Sequence, residues 1–192
     1  MYLIVGLGNP GEEYFNTRHN MGFHVVEELS ERLGISELRF KTKCRAMVAE
    51  AKTADHKLIL AEPQTFMNLS GEAVRLLLNW YKIPLDHLIV VHDDVDIDPG
   101  EIRVKAGGSS AGHHGIESIV EHINEKQFPR VRVGVGRGKA LNDVTEYVLH
   151  DVPKKDKAAV SLAISNAADA VMSIVSDGLS TAMNRFNGLK AS

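Results

Sequence analysis

The stretch Tyr2–Asn20, YLIVGLGNPGEEYFNTRHN, is the part of the sequence around which the rest of the chain is organised. Its first residues are apolar and run into a glycine-rich turn, a pattern typical of a buried strand whose carboxyl end opens onto a cleft. Two amides, a cation and an imidazole follow within the same stretch: Asn9, Arg18, His19 and Asn20. Because a hydrophobic core needs none of these groups, the stretch predicts one wall of an active site.

The same stretch contains GLGNPG, Gly6–Gly11, which matches the glycine spacing of dinucleotide-binding turns. That function also requires a helix that starts within the motif and an acidic residue at the end of the next strand. Pro10 lacks one of the N–H groups that would bind the pyrophosphate. Glu12 and Glu13 add negative charge where the pyrophosphate would lie. A nicotinamide-dependent enzyme is therefore a disfavoured alternative.

Size and composition predict one domain. The chain has 192 residues, of which 44% are hydrophobic, enough for a single core. Its single cysteine, Cys44, excludes an intrachain disulfide and is typical of a reducing compartment. Met1 leads directly into the first predicted strand, and no apolar run approaches the roughly 20 residues that span a bilayer. We therefore expect one domain, 1–192, in the cytoplasm, with no membrane partner.

Hydrophobic periodicity predicts alternating strands and helices. Ser70 is the expected N-cap of the second helix, because its side chain can accept a hydrogen bond from the first turn. Strands are expected at 2–5, 45–52, 57–62, 88–91, 101–106 and 131–135, and helices at 21–33, 70–82, 116–124, 143–149, 154–176 and 181–186.

An acidic cluster, His92–Asp98, follows the buried strand Leu88–Val91. As a calcium loop it fails, because Pro99 occupies the glycine position and Lys105 the position of the closing glutamate. As a group of residues at a strand end it offers Asp93, which can hold an imidazole in one tautomer.

A loop of small residues, 107–115, precedes the third predicted helix and includes His113 and His114. Such a loop allows a ligand close to the backbone, and a helix N-terminus suits a phosphate. These histidines and the acidic cluster lack the ligand spacings of known zinc motifs, so no metal site is predicted.

The net charge of −3 provides no overall attraction to nucleic acid, but the cations are unevenly distributed. The segment Lys126–Lys139 holds five cations and no acid, and Arg103 and Lys105 lie on a neighbouring segment. A solvated protein surface and a nucleic-acid contact are both consistent with this pattern.

Five motifs occur in order along the chain: GLGNPGEEYFNTRHNMG, FMNLSGEAV, VVHDDVDIDPG, GGSSAGHHGIESI and FPRVRVGVGR. Together they resemble bacterial peptidyl-tRNA hydrolase, from Tyr2 to about Val148. The resemblance implies a single α/β domain with a mixed, twisted central sheet flanked by helices. It implies hydrolysis of the ester between a peptide and the 3′-terminal ribose of tRNA, without a metal or cofactor. It also implies a monomer that binds the acceptor stem and CCA end of peptidyl-tRNA, with no obligate protein partner.

The resemblance also implies residue roles. His19 would be the general base, Asp93 would orient it, and Asn9 and Asn68 would bind the peptide end and the scissile carbonyl. The remaining implied contacts are Tyr14, Phe66, Met67 and His114 for the substrate and Lys105, Arg132 and Lys139 for tRNA phosphates. For Phe66 and Met67 the sequence leaves two alternatives open, a place in the peptide channel and a place in the core.

One position departs from the family pattern, which has Gly-His-Asn-Gly where this chain has Gly112–Gly115, GHHG. The family's asparagine binds substrate through its amide, whereas His114 is larger and can carry charge. We expect activity with altered affinity or pH dependence. The main alternative is a non-catalytic RNA-binding relative of the same fold, which would not need His19 and Asp93 together.

Overall fold

The computed structural model describes residues 1–35, 41–137 and 144–188, which form a mixed seven-stranded sheet with helices on both faces. The sheet order is β2-β3-β4-β1-β5-β7-β6. The strands are β1 Tyr2–Gly6, β2 Lys41–Lys43, β3 Ala46–Lys52, β4 Lys57–Pro63, β5 Leu88–Asp94, β6 Ile102–Lys105 and β7 Arg130–Gly134.

The four central strands are parallel and therefore end at the same edge of the sheet. β1 pairs in parallel with β4 and β5, and β5 pairs in parallel with β7. The outer strands β2, β3 and β6 pair antiparallel to their neighbours. In open sheets of this kind, ligands bind beyond the carboxyl ends of the parallel strands.

Two hydrophobic clusters cover the two faces of the sheet. Alternate residues of β1 point to opposite faces, so Ile4 joins one cluster and Leu3 and Val5 the other. The first cluster packs α1, α5 and α6 on the sheet, and the second packs α2 and α3. The helices are α1 Met21–Arg32, α2 Ser70–Tyr81, α3 His114–Ile123, α4 Val144–Val148, α5 Lys157–Asp177 and α6 Leu179–Phe186.

The segment Lys154–Asp177, which contains α5, has the length and apolar composition of a membrane span. Half of its apolar window is buried inside the domain, where Ala163, Ala167 and Val171 belong to the core. We therefore interpret α5 as a core helix.

The predicted elements are present with shifted ends. The buried strand expected to stop at Val91 continues as β5 to Asp94, because its polar end residues also pair with β7. Ser70 is not an N-cap as expected. It is the first residue of α2, and its hydroxyl donates to the Met67 carbonyl oxygen. The edge strand β2 was not predicted, since its sequence, Lys-Thr-Lys, has no apolar pattern.

Candidate active site

The two residues expected to work together in proton transfer meet at the carboxyl edge of the sheet. Asp93 is a buried residue of β5. His19 lies in the 3₁₀ turn Arg18–Asn20, between the loop after β1 and the start of α1. The sequence prediction that these residues are neighbours is thus matched by the geometry, although 74 positions separate them.

Close packing of α1 on the sheet brings the turn to this place. A Cβ atom on Gly22 would overlap the backbone nitrogen of Leu7 and the carbonyl oxygen of Val91. Those two atoms are themselves joined by a 2.9 Å hydrogen bond at the end of the β1–β5 pair. Only glycine therefore allows the first turn of α1 to lie this near the strand ends.

One oxygen of Asp93 binds two histidines. Its Oδ1 atom lies 2.9 Å from His19 Nδ1 and 3.0 Å from His113 Nε2. The other ring nitrogen of His113 accepts from the N–H groups of Gly115 and Ile116 at the start of α3. His113 is therefore the tautomer that carries its proton on Nε2 and donates it to Asp93. His19 donates from Nδ1, which leaves its Nε2 lone pair available as a base.

The charge of Asp93 controls the protonation of His19. Burial alone lowers the pKa of His19, but the negative charge of Asp93 and the hydrogen bond to it raise that pKa above the ordinary 6.5. Burial raises the pKa of Asp93, because it disfavours the charged carboxylate. The charges of His19 and His113 and their hydrogen bonds lower that pKa by more, so it lies well below its usual range. Asp93 is therefore a permanent carboxylate.

A third histidine, His92, packs against this group. Its Nδ1 atom lies 2.7 Å from the Asp93 carbonyl oxygen, and its ring packs edge-on against His113 with centroids 4.6 Å apart. Burial, followed by the proximity of His113, lowers the pKa of His92 well below 6.5. His92 is therefore neutral, and it packs against His113 without adding charge to the site.

The side chains of His19, Asp93 and His113 have ligand atoms within 4.8 Å of one another, close enough to share a metal ion. Both nitrogen–oxygen distances are those of hydrogen bonds, and the His113 nitrogen that faces Asp93 carries a proton. A metal would have to displace that proton and both hydrogen bonds. The donor set thus fits a hydrogen-bonded group better than a metal centre.

The amide Asn9 is held rigidly by Asn20, the residue that follows His19. Asn20 binds its backbone at both ends: Asn9 N donates to Asn20 Oδ1 at 2.9 Å, and Asn20 Nδ2 donates to Asn9 O at 3.0 Å. The Asn9 side-chain oxygen accepts from the N–H of Met67 at 2.8 Å. This orientation leaves Asn9 Nδ2 as a hydrogen-bond donor with no partner in the described part of the chain.

The loop that carries Asn68 divides its side chains between core and solvent. Met67 was expected to contact substrate, but its side chain is 5% exposed and packs in the core beside α3. Phe66 is 57% exposed, and Asn68 is exposed beside it. Tyr14 is half-buried in the 3₁₀ turn Glu12–Tyr14. Phe66 and Asn68, unlike Met67, are therefore open to a substrate.

A cavity of about 190 Å³ opens above the histidines. His19 and Asp93 line one part of it, and the exposed His114 lines another together with Val144 and Val148 of α4. His114 thus shares a cavity with the candidate base. Neither Asn68 nor Tyr14 is among the residues that line this cavity.

The expected phosphate contacts lie on the β6–β7 edge. Lys105 is exposed at the end of β6. Arg132 of β7 binds Asp94 through its Nε atom at 2.6 Å, and Asp94 lines the cavity. In the β6–β7 register, Lys105 pairs with Arg130 and Arg103 with Arg132, so all four project from one face of the sheet. The remaining expected contact, Lys139, lies outside the described residues.

Arg18 joins the turn that carries His19 to α4 and to the segment that follows it. Its guanidinium donates to the carbonyl oxygens of Tyr147, His150 and Asp151, and it stacks 4.1 Å from the centre of the Tyr147 ring. Arg18 is 7% exposed. It therefore holds α4, which lines the cavity, in a fixed position relative to the turn that carries His19.

Sequence reasoning placed Arg18 and Asn20 in one wall of the predicted active site but gave no individual role to them or to His113. Asn20 binds the backbone of Asn9 within the same loop, whereas the partners of Arg18 lie on a distant segment. His113 directly precedes α3, and a side chain that accepts hydrogen bonds at this position is a recognisable helix cap. The contact of its other nitrogen with Asp93 depends on the tertiary fold.

Comparison with known proteins identifies close relatives. A family model described as peptidyl-tRNA hydrolase matches residues 3–192. A peptidyl-tRNA hydrolase of Thermoanaerobacter sp. is 47% identical over 188 residues, which cover 98% of this chain and 100% of that protein. The protein of the same name from Caldanaerobacter subterraneus subsp. tengcongensis is also 47% identical, with the same coverage.

Solved structures show the same fold. The crystal structure of peptidyl-tRNA hydrolase from Acinetobacter baumannii superimposes with a TM-score of 0.91 at 36% sequence identity. The match covers 99% of this chain and 96% of that one. The α/β architecture expected from the motifs is therefore confirmed.

Proposed function

The chain belongs to the peptidyl-tRNA hydrolase family, and we propose that it cleaves the ester between peptide and tRNA with His19 as general base. The single observation that carries this assignment is the hydrogen bond between His19 Nδ1 and Asp93 Oδ1. It fixes the tautomer in which Nε2 has a free lone pair beside a cavity.

The proposed reaction uses water as the nucleophile. His19 Nε2 takes a proton from the water while the water oxygen attacks the ester carbonyl carbon. The tetrahedral intermediate then breaks its bond to the ribose 3′-oxygen, which receives the proton from Nε2. Asp93 stabilises the imidazolium formed between these steps because its carboxylate remains charged throughout.

Asn9 is suited to stabilise the developing oxyanion. Its Nδ2 group is a donor oriented by the Met67 and Asn20 contacts, so little reorganisation is needed when charge appears on the carbonyl oxygen. Asn68, exposed on the loop tied to Asn9, would bind the peptide backbone. Phe66 next to it offers an apolar surface for peptide side chains.

The β6–β7 edge would hold the tRNA. Lys105 and Arg132 can neutralise acceptor-stem phosphates without reading the sequence, as an enzyme for many tRNAs requires. Arg132 keeps its terminal nitrogens for a phosphate while Asp94 holds Nε. We further propose that the protein acts as a cytoplasmic monomer on the acceptor stem and CCA end, and that it requires no metal or protein partner.

Hydrolysis of an N-blocked aminoacyl-tRNA in EDTA tests this function. Wild type should release tRNA rapidly, and His19→Ala should lower the rate by about 10²–10⁴-fold, the usual contribution of a general base. His56→Ala is the matched control, because His56 precedes β4 and so lies at the amino ends of the parallel strands, whereas His19 lies at their carboxyl ends. Bound but uncleaved tRNA with wild type would indicate the RNA-binding alternative, and loss of activity in EDTA alone would indicate a metal enzyme.

A further inference from the structure

The outer face of α2 carries an unusual stripe of side chains. Glu72, Leu76 and Trp80 follow one another at four-residue spacing and therefore lie on one side of the helix. Leu76 is 41% exposed and Trp80 is 62% exposed. An indole this exposed stabilises the core little, so its surroundings are informative.

Side chains in and next to the turn between β2 and β3 contact both ends of this stripe. Cys44 and Arg45 both have positive φ, as a two-residue hairpin turn requires. Arg45 forms an ion pair with Glu72 at one end of the stripe. At the other end, Lys43 Nζ lies 4.7 Å from the centre of the Trp80 ring.

Lys43 is oriented by a second aromatic residue. Its Nζ atom lies 4.9 Å from the centre of the Tyr81 ring and 3.3 Å from the Tyr81 hydroxyl. A lysine ammonium held between two aromatic rings is a fixed positive charge at the edge of an exposed indole.

The free charge around Trp80 is positive. Lys41 lies two residues before Lys43 and so projects from the same side of β2, and Lys82 ends α2 two residues after Trp80. Both are exposed. Two acids of the described residues close to this surface are paired with other cations, Glu72 with Arg45 and Glu50 with Lys57. Lys82 also lines a groove between α2 and α3, and Arg75 lines the same groove.

We propose that this surface, formed by Lys41, Lys43, Leu76, Trp80 and Lys82, binds unpaired RNA. A base stacks on the open part of the Trp80 ring, and the adjoining phosphates lie against the lysines. An exposed aromatic ring flanked by cations is the arrangement by which proteins bind single strands without sequence preference. An acidic protein would be attracted by the lysines but would not need the indole.

The proposed surface is separate from the cavity that would hold the acceptor stem. β2 and β7 are separated by five strand spacings, about 24 Å, in the sheet order. Trp80 also lies near the end of α2 that is remote from the Asn68 loop, about 15 Å along the helix from Ser70. A base stacked on Trp80 therefore lies far from both Arg132 and the cavity.

Trp80 is the only tryptophan in the chain, so its fluorescence reports on this surface alone. We would titrate the full chain with an unstructured eight-nucleotide oligoribonucleotide at low and high salt. The expected result is saturable quenching that weakens as salt rises. Lys43→Gln should raise Kd by about fivefold or more, whereas the matched control Lys52→Gln, an exposed lysine of β3, should leave it unchanged.

Two further measurements distinguish the possible occupants. Trp80→Ala, followed by anisotropy of a labelled oligonucleotide, should weaken binding about tenfold or more with the fold retained by circular dichroism. The double variant Lys105→Gln/Arg132→Gln should quench as wild type does. Absence of quenching, equal quenching by polyglutamate, or loss of quenching in the double variant would overturn the proposal. The test is independent of hydrolysis, so a failure of either assignment does not affect the other.

Discussion

His113 donates a hydrogen bond from Nε2 to Asp93 Oδ1, the same oxygen that binds His19, the proposed base. The other nitrogen of His113 caps α3. One ring thus connects the helix that presents His114 to the carboxylate that orients the base. We therefore regard His113 as a positioning residue.

His113→Asn separates the two roles of this ring. Asparagine is a good N-cap, so the helix should stay capped, but its shorter side chain cannot also reach Asp93. We expect kcat to fall about tenfold with little change in Tm, because a misplaced base loses part of its contribution. His113→Ala should in addition cost about 1 kcal/mol of stability, as measured by thermal unfolding. Full activity of His113→Asn would show that the contact with Asp93 is unimportant.

Asp93→Asn should shift the pH dependence of hydrolysis. His19 must be neutral to act as base, and Asp93 raises its pKa above 6.5, so wild-type activity rises with pH through that pKa. Without the charge of Asp93, burial dominates and the pKa of His19 falls, so the rise moves to lower pH. The plateau should also fall, by about 10³–10⁴-fold, because the tautomer is no longer fixed. An unshifted profile of kcat/KM for the residual activity would contradict this assignment.

Arg132→Gln should weaken tRNA binding without changing the chemistry. Removal of one phosphate contact should raise KM and reduce the slope of log K against log salt by about 1. Because Arg132 does not line the cavity, kcat at saturating substrate should stay within about twofold of wild type. Arg185→Gln on α6 is the control and should leave both KM and the slope unchanged. A fall in kcat with unchanged KM would place Arg132 in the reaction instead.

The parts of the site that could be predicted from sequence are those signalled locally. Asp93 lies at the end of one apolar strand and His19 in the loop after another. Because parallel strands end at one edge of the sheet, their encounter follows from fold and motif together. The individual roles of Asn20 and Arg18 depend on backbone partners: Asn20 binds backbone groups of Asn9 in the same loop, and Arg18 binds three carbonyl oxygens in and just after α4. Nearly every residue offers a backbone N–H and C=O group, so a polar side chain in a loop does not by itself indicate which of them it binds.

The same limit applies to Met67 and to β2. An apolar residue in a loop is compatible with both a peptide channel and a core, and only the packing beside Gly115 shows that Met67 is buried. Strand β2 lacks apolar alternation because it is an edge strand with exposed lysines. Its strand conformation depends on pairing with β3.

His114→Asn tests the residue that departs from the family pattern. His114 lines the cavity with His19 and makes no hydrogen bond or ion pair within the described ranges, so replacement should not disturb the fold. We expect kcat to be no lower than in wild type, with a changed KM, when hydrolysis is followed from pH 6 to about 8, a range that spans histidine titration. A collapse of kcat would show that the imidazole of His114 takes part in catalysis.

We expect Glu62 to make the protein less stable as pH rises, and Glu62→Gln should remove this effect. Burial, followed by the charge of Glu27, raises the pKa of Glu62 from 4.5 to about 8. Between these values the folded chain keeps a proton that the unfolded chain loses, so the free energy of unfolding falls as pH rises, by up to about 1.4 kcal/mol per pH unit. Glu62→Gln should therefore match wild type near pH 4 and exceed its Tm increasingly up to pH 8. Glu50→Gln is the control of opposite sign, because the hydrogen bond from Lys57 lowers the pKa of Glu50 and so stabilises the fold above pH 4.5. A Tm difference between Glu62→Gln and wild type that does not change with pH would show that Glu62 is ionised in the folded chain.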